Sequence, residues 1–206
     1  QGTAHVTKPE FLPWDSPTFD YPTRIAHPEG AITEIERNDP LAKPTALTRR
    51  NVLGTLSVTR RYTYDVHQQL CKTVEPETGA TMMGYDAAGN LAWSAPGQVD
   101  APGCGTVSDA ARVSYRTYDT RGRLKALRFS DTRGDQDWSY TPDGLPLSVT
   151  TVNVPGAVHP INQYKYNRRR MLIGETQHLP AWYSYSIAYS FDVAGHLRRL
   201  HYPSSD

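Results

Sequence analysis

Apolar residues in this chain fall in short runs, each cut off by turn-forming residues after five to eight positions. Leu70-Cys71-Lys72-Thr73-Val74, the stretch Glu75-Pro76-Glu77-Thr78-Gly79 and Ala80-Thr81-Met82-Met83-Gly84 show the pattern of strand, turn and strand. No window sustains apolar residues at helical spacing, so helices are not predicted. One strand and one turn occupy about 10 to 12 residues, the spacing of an all-β chain. Pro22–Ala26 and Ala31–Ile35 flank His27-Pro28-Glu29-Gly30, with Pro near the start and Gly at the end of the turn, and predict a hairpin. Ahead of it, residues 1–21 are broken by Pro9, Pro13 and Pro17 and carry Phe11, Trp14, Phe19 and Tyr21. They predict an irregular segment laid against the sheet. Around 95–112, the run Ala95-Pro96-Gly97-Gln98-Val99-Asp100-Ala101-Pro102-Gly103-Cys104-Gly105 is too rich in Pro and Gly for a strand and predicts an inserted surface loop.

Between the strands one short motif recurs. Its cleanest copy is Tyr85-Asp86-Ala87-Ala88-Gly89-Asn90-Leu91. Asp opens a type I turn by accepting a backbone N–H two residues on, and Gly supplies the positive φ that lets the strand return. The loop is then three residues long, with Asp86 opposite Asn90 and Tyr85 opposite Leu91. An aromatic–aliphatic cross-strand pair contributes roughly 0.2–1 kcal/mol. The other copies are Asn38-Asp39-Pro40-Leu41-Ala42-Lys43-Pro44, Tyr64-Asp65-Val66-His67-Gln68-Gln69-Leu70, Tyr118-Asp119-Thr120-Arg121-Gly122-Arg123-Leu124, Tyr140-Thr141-Pro142-Asp143-Gly144-Leu145-Pro146, Tyr166-Asn167-Arg168-Arg169-Arg170-Met171-Leu172 and Phe191-Asp192-Val193-Ala194-Gly195-His196-Leu197. Starts at 38, 64, 85, 118, 140, 166 and 191 give a period of 20 to 50 residues, the mark of a repeat architecture. At ordinary residue usage a full aromatic-Asp-x-x-Gly-x-Leu match is expected in on the order of one chain in a few hundred. This chain carries three.

Composition agrees with the strands. Sixteen Pro, 15 Gly and 13 Tyr stand against 3 Met and 4 Phe, which favours short strands and turns. The net charge of +1 nominates no polyanion partner, and no nucleic-acid role is expected. No apolar run approaches the length that crosses a membrane, and no signal peptide is read. A start at Gln1 rather than Met is compatible with removal of a leader or a longer N-terminal part. Cys71 and Cys104 either pair, closing a loop worth roughly 3–4 kcal/mol, or remain as free, half-buried thiols; the sequence leaves both open. Without a Cys-x-x-Cys or a histidine cluster, neither a metal nor any other cofactor is expected.

Tandem Tyr-Asp-x-x-Gly-x-Leu units at these intervals resemble the YD repeats of the Rhs family, shared with the C components of Tc insecticidal toxins and with animal teneurins. The likeness spans about residues 22–202. It implies β-hairpins wound into a continuous, curved, spiralling sheet, of which this chain would be a shell fragment. In the bacterial members such a shell encloses a toxic C-terminal domain. The implied partners are further YD repeats of a longer chain, an enclosed effector and its delivery machinery, and the implied location is secreted or delivered from cell to cell. The alternative that the teneurin resemblance allows is an extracellular surface recognising carbohydrate or another cell. The chain lacks the Asp-Pro-rich autoproteolytic core that ends self-maturing Rhs shells, and it carries no recognisable toxin domain. Both ends stop in mid-pattern, so a piece of a longer array, open and with exposed edges, is expected. Ala42, Gln68 and Arg170 stand where the turn Gly belongs, Asn167 and Thr141 where the Asp belongs, and Pro44 and Pro146 where the Leu belongs. Those hairpins are expected to differ in twist and edge pairing.

Each residue that suggests chemistry also has a plainer role. Arg168-Arg169-Arg170 falls on a turn tip and is expected to be solvated. Asp119 and Arg123, opposite each other, read as a surface ion pair rather than an acid–base couple. His5, His27, His67, His159, His178, His196 and His201 are scattered singly, and no Gly-x-Ser-x-Gly elbow accompanies a serine. Asp135 and Asp137 read as a solvated turn before Trp138. The aromatic stripe Tyr62, Tyr64, Trp93, Trp138 and Tyr140 is expected to pack on the sheet face rather than to present a sugar-binding surface. No catalytic residue is nominated, and the chain is not expected to be an enzyme.

Overall fold

A computed structural model describes residues 6–16, 19–38, 41–152, 159–179 and 183–203. Among the described residues sixteen strands follow one another in a sheet whose strand order is the order of the sequence, with no crossover. The pairings along it are antiparallel. This is the all-β array of tandem hairpins that the turn motif dictates: a short loop can only return the chain beside the strand it has just left. Two compact units divide the chain, Gln1–Gly84 with Ser94–Asp109, and Tyr85–Trp93 with Ala110–Asp206.

The first unit holds β1 (Lys8–Phe11), β2 (Pro22–Ala26), β3 (Ile32–Arg37), β4 (Pro44–Arg50), β5 (Ser57–Tyr64), β6 (Leu70–Glu75), nearly all of β7 (Gly79–Tyr85) and the later part of β8 (Leu91–Gln98). Two boundaries differ from expectation. The N-terminal segment contributes a real strand, β1, with Lys8 opposite Ala26 and Pro9 opposite Ile25. Proline is tolerated there because β1 ends the strand order and needs donors on one side only. β8 also runs on through Ala95-Pro96-Gly97 to Gln98, so the insertion begins only at Val99.

That insertion is tied down rather than loose. Cys71 and Cys104 are bonded, with their sulfurs 2.08 Å apart. The Lys72 ammonium, almost wholly buried, donates to Asp100 Oδ1 at 2.7 Å and to the Ala101 carbonyl. The buried Gln98 carboxamide accepts from the Ser108 and Asp109 amides, each at 2.8 Å, and donates to the Asp109 carbonyl. Underneath lie Ala80 and Met82, both at 0% exposure. The tightest packing of this unit is therefore where the loop lies back on β6–β8.

The second unit holds the start of β8, a 3-10 turn at Ala110–Arg112, β9 (Ser114–Tyr118), β10 (Leu124–Phe129), β11 (Asp135–Tyr140), β12 (Pro146–Val152), β13 (Ile161–Tyr166), β14 (Leu172–His178), β15 (Ser184–Phe191) and β16 (Leu197–His201). Most of its strand residues are half-buried, and β16 is exposed throughout. Asp135 and Asp137 belong to β11 and are not a solvated turn. Asp135 is buried and accepts the Phe129 amide at 2.7 Å, while Asp137 pairs with Arg128.

Candidate functional site

The features that repeat along the chain converge on the row of motif turns, so the site is built from there. In each turn the second motif residue folds its side chain back over the loop. Asp65 Oδ1 accepts the amides of His67 and Gln69 at 2.9 and 2.8 Å. Asp86 accepts those of Ala88 and Asn90, both at 2.9 Å, Asp119 those of Arg121 and Arg123, and Asp192 those of Ala194 and His196. Substitutes do the same work: Asn167 accepts the Arg169 and Met171 amides, and Thr141 Oγ1 accepts the Leu145 amide at 3.0 Å. The backbone closes each loop in the same way, as where the Asp119 amide reaches Arg123 O at 2.9 Å and the Gly122 amide reaches Asp119 O at 3.0 Å.

At the fifth position φ is +83° at Gly89, +73° at Gly122, +94° at Gly144 and +92° at Gly195. Ala42, Gln68 and Arg170 take +52°, +61° and +64°. The left-handed conformation is thus kept where glycine is missing, because the closing hydrogen bonds impose it on the side-chain-bearing residues. The first copy needs a correction of register. Arg37, not Asn38, stands opposite Pro44, and Asn38 takes the Asp role by accepting the Lys43 amide at 3.0 Å. Its loop is longer by one residue; Asp39 and Pro40, in the middle of it, lie outside the described residues.

The ends of the motif meet across the ribbon. Tyr64 stands opposite Leu70, Tyr118 opposite Leu124, Tyr140 opposite Pro146, Tyr166 opposite Leu172 and Phe191 opposite Leu197. The register shifts beside Tyr64, Tyr140, Tyr166 and Phe191, and between Leu124 and Ala126 in the Tyr118 hairpin, which marks a β-bulge.

A second role of the tyrosines escapes the motif arithmetic. The Tyr64 hydroxyl donates to the Pro44 carbonyl at 2.9 Å, that of Tyr118 to Leu91 O at 2.9 Å and that of Tyr140 to Leu124 O at 2.7 Å. In all three, the first residue of one copy is fastened to the last residue of the copy before it. Burial pushes the Tyr64 and Tyr140 hydroxyls above their usual range, so they stay protonated donors. The clue in the sequence is the preference for Tyr over Phe at a half-buried position, where a hydroxyl requires a partner.

Charged residues reinforce the same stitching. The Arg123 guanidinium lies 4.4 Å from the centre of the Tyr140 ring, in the next copy, and Lys43 Nζ lies 5.3 Å from that of Tyr64. Arg123 also pairs with Asp119 at 2.6 Å. The Arg123 side chain, followed by its backbone amide, holds the Asp119 carboxyl down to about 2. Asn90 lowers Asp86 in the same sense, and His196 lowers Asp192. The Arg168–Arg170 tip is not simply solvated. Arg169 donates to Val193 O at 3.0 Å in the following copy, and Arg170 to Asp143 O at 3.2 Å in the preceding one.

Three of the histidines have polar neighbours, and His159 Nδ1 is buried without a hydrogen-bond partner among the described residues. His27 Nε2 and Thr33 Oγ1 lie 2.9 Å apart, His178 lies between Ser184 and Gln163, and His196 lies beside Asp192. His5 falls outside the described residues. Among the described residues no group of His, Cys, Asp or Glu is placed to hold a metal ion. Within the aromatic stripe, the hydroxyls of Tyr64 and Tyr140 are engaged as described, and Trp138 Nε1 donates to Gln136 Oε1 at 3.2 Å. No helix among the described residues is long and apolar enough to cross a membrane.

Together, the sequence-ordered antiparallel sheet and its stitched row of turns define an all-β tandem-hairpin protein with an Rhs-like fold. No protein-family profile and no curated protein sequence matches the chain. Among solved structures it is similar to the crystal structure of TcdB2-TccC3, with a TM-score of 0.57 and 13% identity over 90% of this chain. A TcdB2-TccC3-TEV structure is similar over 95% of this chain, with a TM-score of 0.56 and 12% identity. A form of TcdB2-TccC3 without its hypervariable C-terminal region is similar over 88%, with a TM-score of 0.56 and 13% identity. In each case this chain spans 11% of the length of the chain it matches. At such identity the likeness is one of fold.

Proposed function

We propose that this chain is a structural segment of an Rhs-type bacterial toxin shell that encloses a C-terminal effector, and that it performs no chemistry of its own. The observation that supports this best is the tyrosine stitching. The tyrosine hydroxyls spend their hydrogen bonds on the neighbouring copy, at Tyr64–Pro44, Tyr118–Leu91 and Tyr140–Leu124, and the turn aspartates spend theirs on their own loops. The fold likeness to TcdB2-TccC3 assemblies, over most of this chain and a small part of theirs, supports the same reading. In this role its partners are adjoining YD repeats of a longer chain and the enclosed effector, and the assembly is exported or delivered to another cell. A bond between Cys71 and Cys104 suits a protein that matures outside a reducing cytosol.

Electron cryo-microscopy of the natural full-length product tests the reading. It should show this sheet as consecutive turns of a closed shell with density inside. A sheet standing apart from any enclosure, or a hydrolytic activity abolished by one substitution within these residues, would overturn it.

A further inference from the structure

One carboxylate in the second unit sits in surroundings unlike those of its counterparts. Glu10, Glu29, Glu34 and Glu75 each pair with an arginine, and Glu36 and Glu77 are exposed to solvent. Glu175, half-buried in the middle of β14, has no cationic partner among the described residues. On one side it faces Tyr164 of β13 and on the other Ile187 of β15. The next row on the same face is Asn162, Gln177 and Tyr185. Lys165, His178 and Arg199 lie in the alternating rows, on the opposite face of their strands. Asn162, Tyr164, Glu175, Gln177, Tyr185 and Ile187 line a cavity of about 270 Å³.

We propose that this cavity binds an organic ammonium group, with Glu175 as its counter-charge and Tyr164 and Tyr185 as its aromatic walls. A half-buried carboxylate without a cation is electrostatically unfinished, and tyrosine rings beside it offer the negative π faces that alkylammonium groups favour. The Asn162 and Gln177 carboxamide oxygens can accept from any N–H the ammonium carries. The carboxylate also makes itself felt around the cavity: burial first, and then its charge and a hydrogen bond to it, hold the Tyr189 hydroxyl above its usual range. The group is either a free quaternary ammonium or a lysine side chain of a partner. The inference does not depend on the shell reading, since any array presenting this face would bind the group.

The test titrates the whole chain with choline chloride and, separately, with N-acetyl-lysine methylamide at constant ionic strength. Chemical shifts of the Asn162 and Gln177 carboxamides report binding, and neutral 3,3-dimethylbutan-1-ol and cellobiose serve as controls. A saturable shift with either ammonium, weakened at least about tenfold in Glu175→Gln and also in Tyr185→Leu, supports the site. Which of the two ammonium compounds binds identifies the source. Shifts with neither ammonium, equal shifts with the neutral alcohol or cellobiose, or binding unchanged in Glu175→Gln would overturn it. The thermal melt of each variant shows that its fold is retained, and Tyr185→Leu carries the test if Glu175→Gln does not fold.

Discussion

At the residue scale the account rests on backbone conformations that the turn demands and side chains tolerate unequally. Thr132, in the turn between β10 and β11, is exposed and β-branched, yet it is held at φ +63°. Thr132→Gly should raise the unfolding free energy by about 0.5–1 kcal/mol in urea titration, whereas Gly122→Val, forced into φ +73°, should lower it by more than about 1 kcal/mol. The turn aspartates add a pH dependence of definite sign. The folded-state values of Asp86, Asp119 and Asp192 lie below those of the free side chain. Their contribution is therefore complete above about pH 4, and the Asp119 share is lost as pH falls through about 2. Asp119→Asn keeps an oxygen over the turn, as Asn167 does naturally, and should lose less stability than the parent between pH 5 and pH 2. The Asp and Gly roles were legible in the sequence because they are local chemistry. The tyrosine hydroxyl bonds were not, since they join residues 16 to 27 positions apart, and no spacing rule within one copy points to the carbonyl of another.

At the element scale the strands and hairpins followed from turn chemistry alone, and the departures have physical reasons. Ala95-Pro96-Gly97 carries the residues of a loop but continues β8, where Ala95 is fully buried and Gln98 anchors the returning insertion. Sequence rules price Pro and Gly by backbone preference and cannot see the cover that compensates them. The disulfide was undecided for a related reason: Cys71 and Cys104 meet only because the insertion folds back, a tertiary event. Cys71→Ser with Cys104→Ser should lower stability by about 3–4 kcal/mol in denaturant titration, and it should speed amide exchange in β6–β8 before β13–β16. Uniform exchange across both groups of strands would show that the clamp does not act locally.

At the scale of the whole molecule, stability should come from many similar increments rather than from one core, as in other repeat proteins. Met82 is the largest side chain fully removed from solvent among the described residues, and the exposed array compensates with contacts between copies. Composition and period predicted such an array. Their one hint that motif residues work between hairpins as well as within them is the preference for Tyr over Phe, which does not say where the hydroxyl goes. The direct test is Tyr64→Phe, Tyr118→Phe and Tyr140→Phe in one chain, followed by urea unfolding. Each change removes a single hydroxyl bond to a different carbonyl, worth about 0.5–1.5 kcal/mol. The account predicts a far-ultraviolet spectrum that stays that of a β protein and an unfolding free energy lower by about 2–4 kcal/mol. A triple variant that unfolds at the same urea concentration as the parent would contradict it.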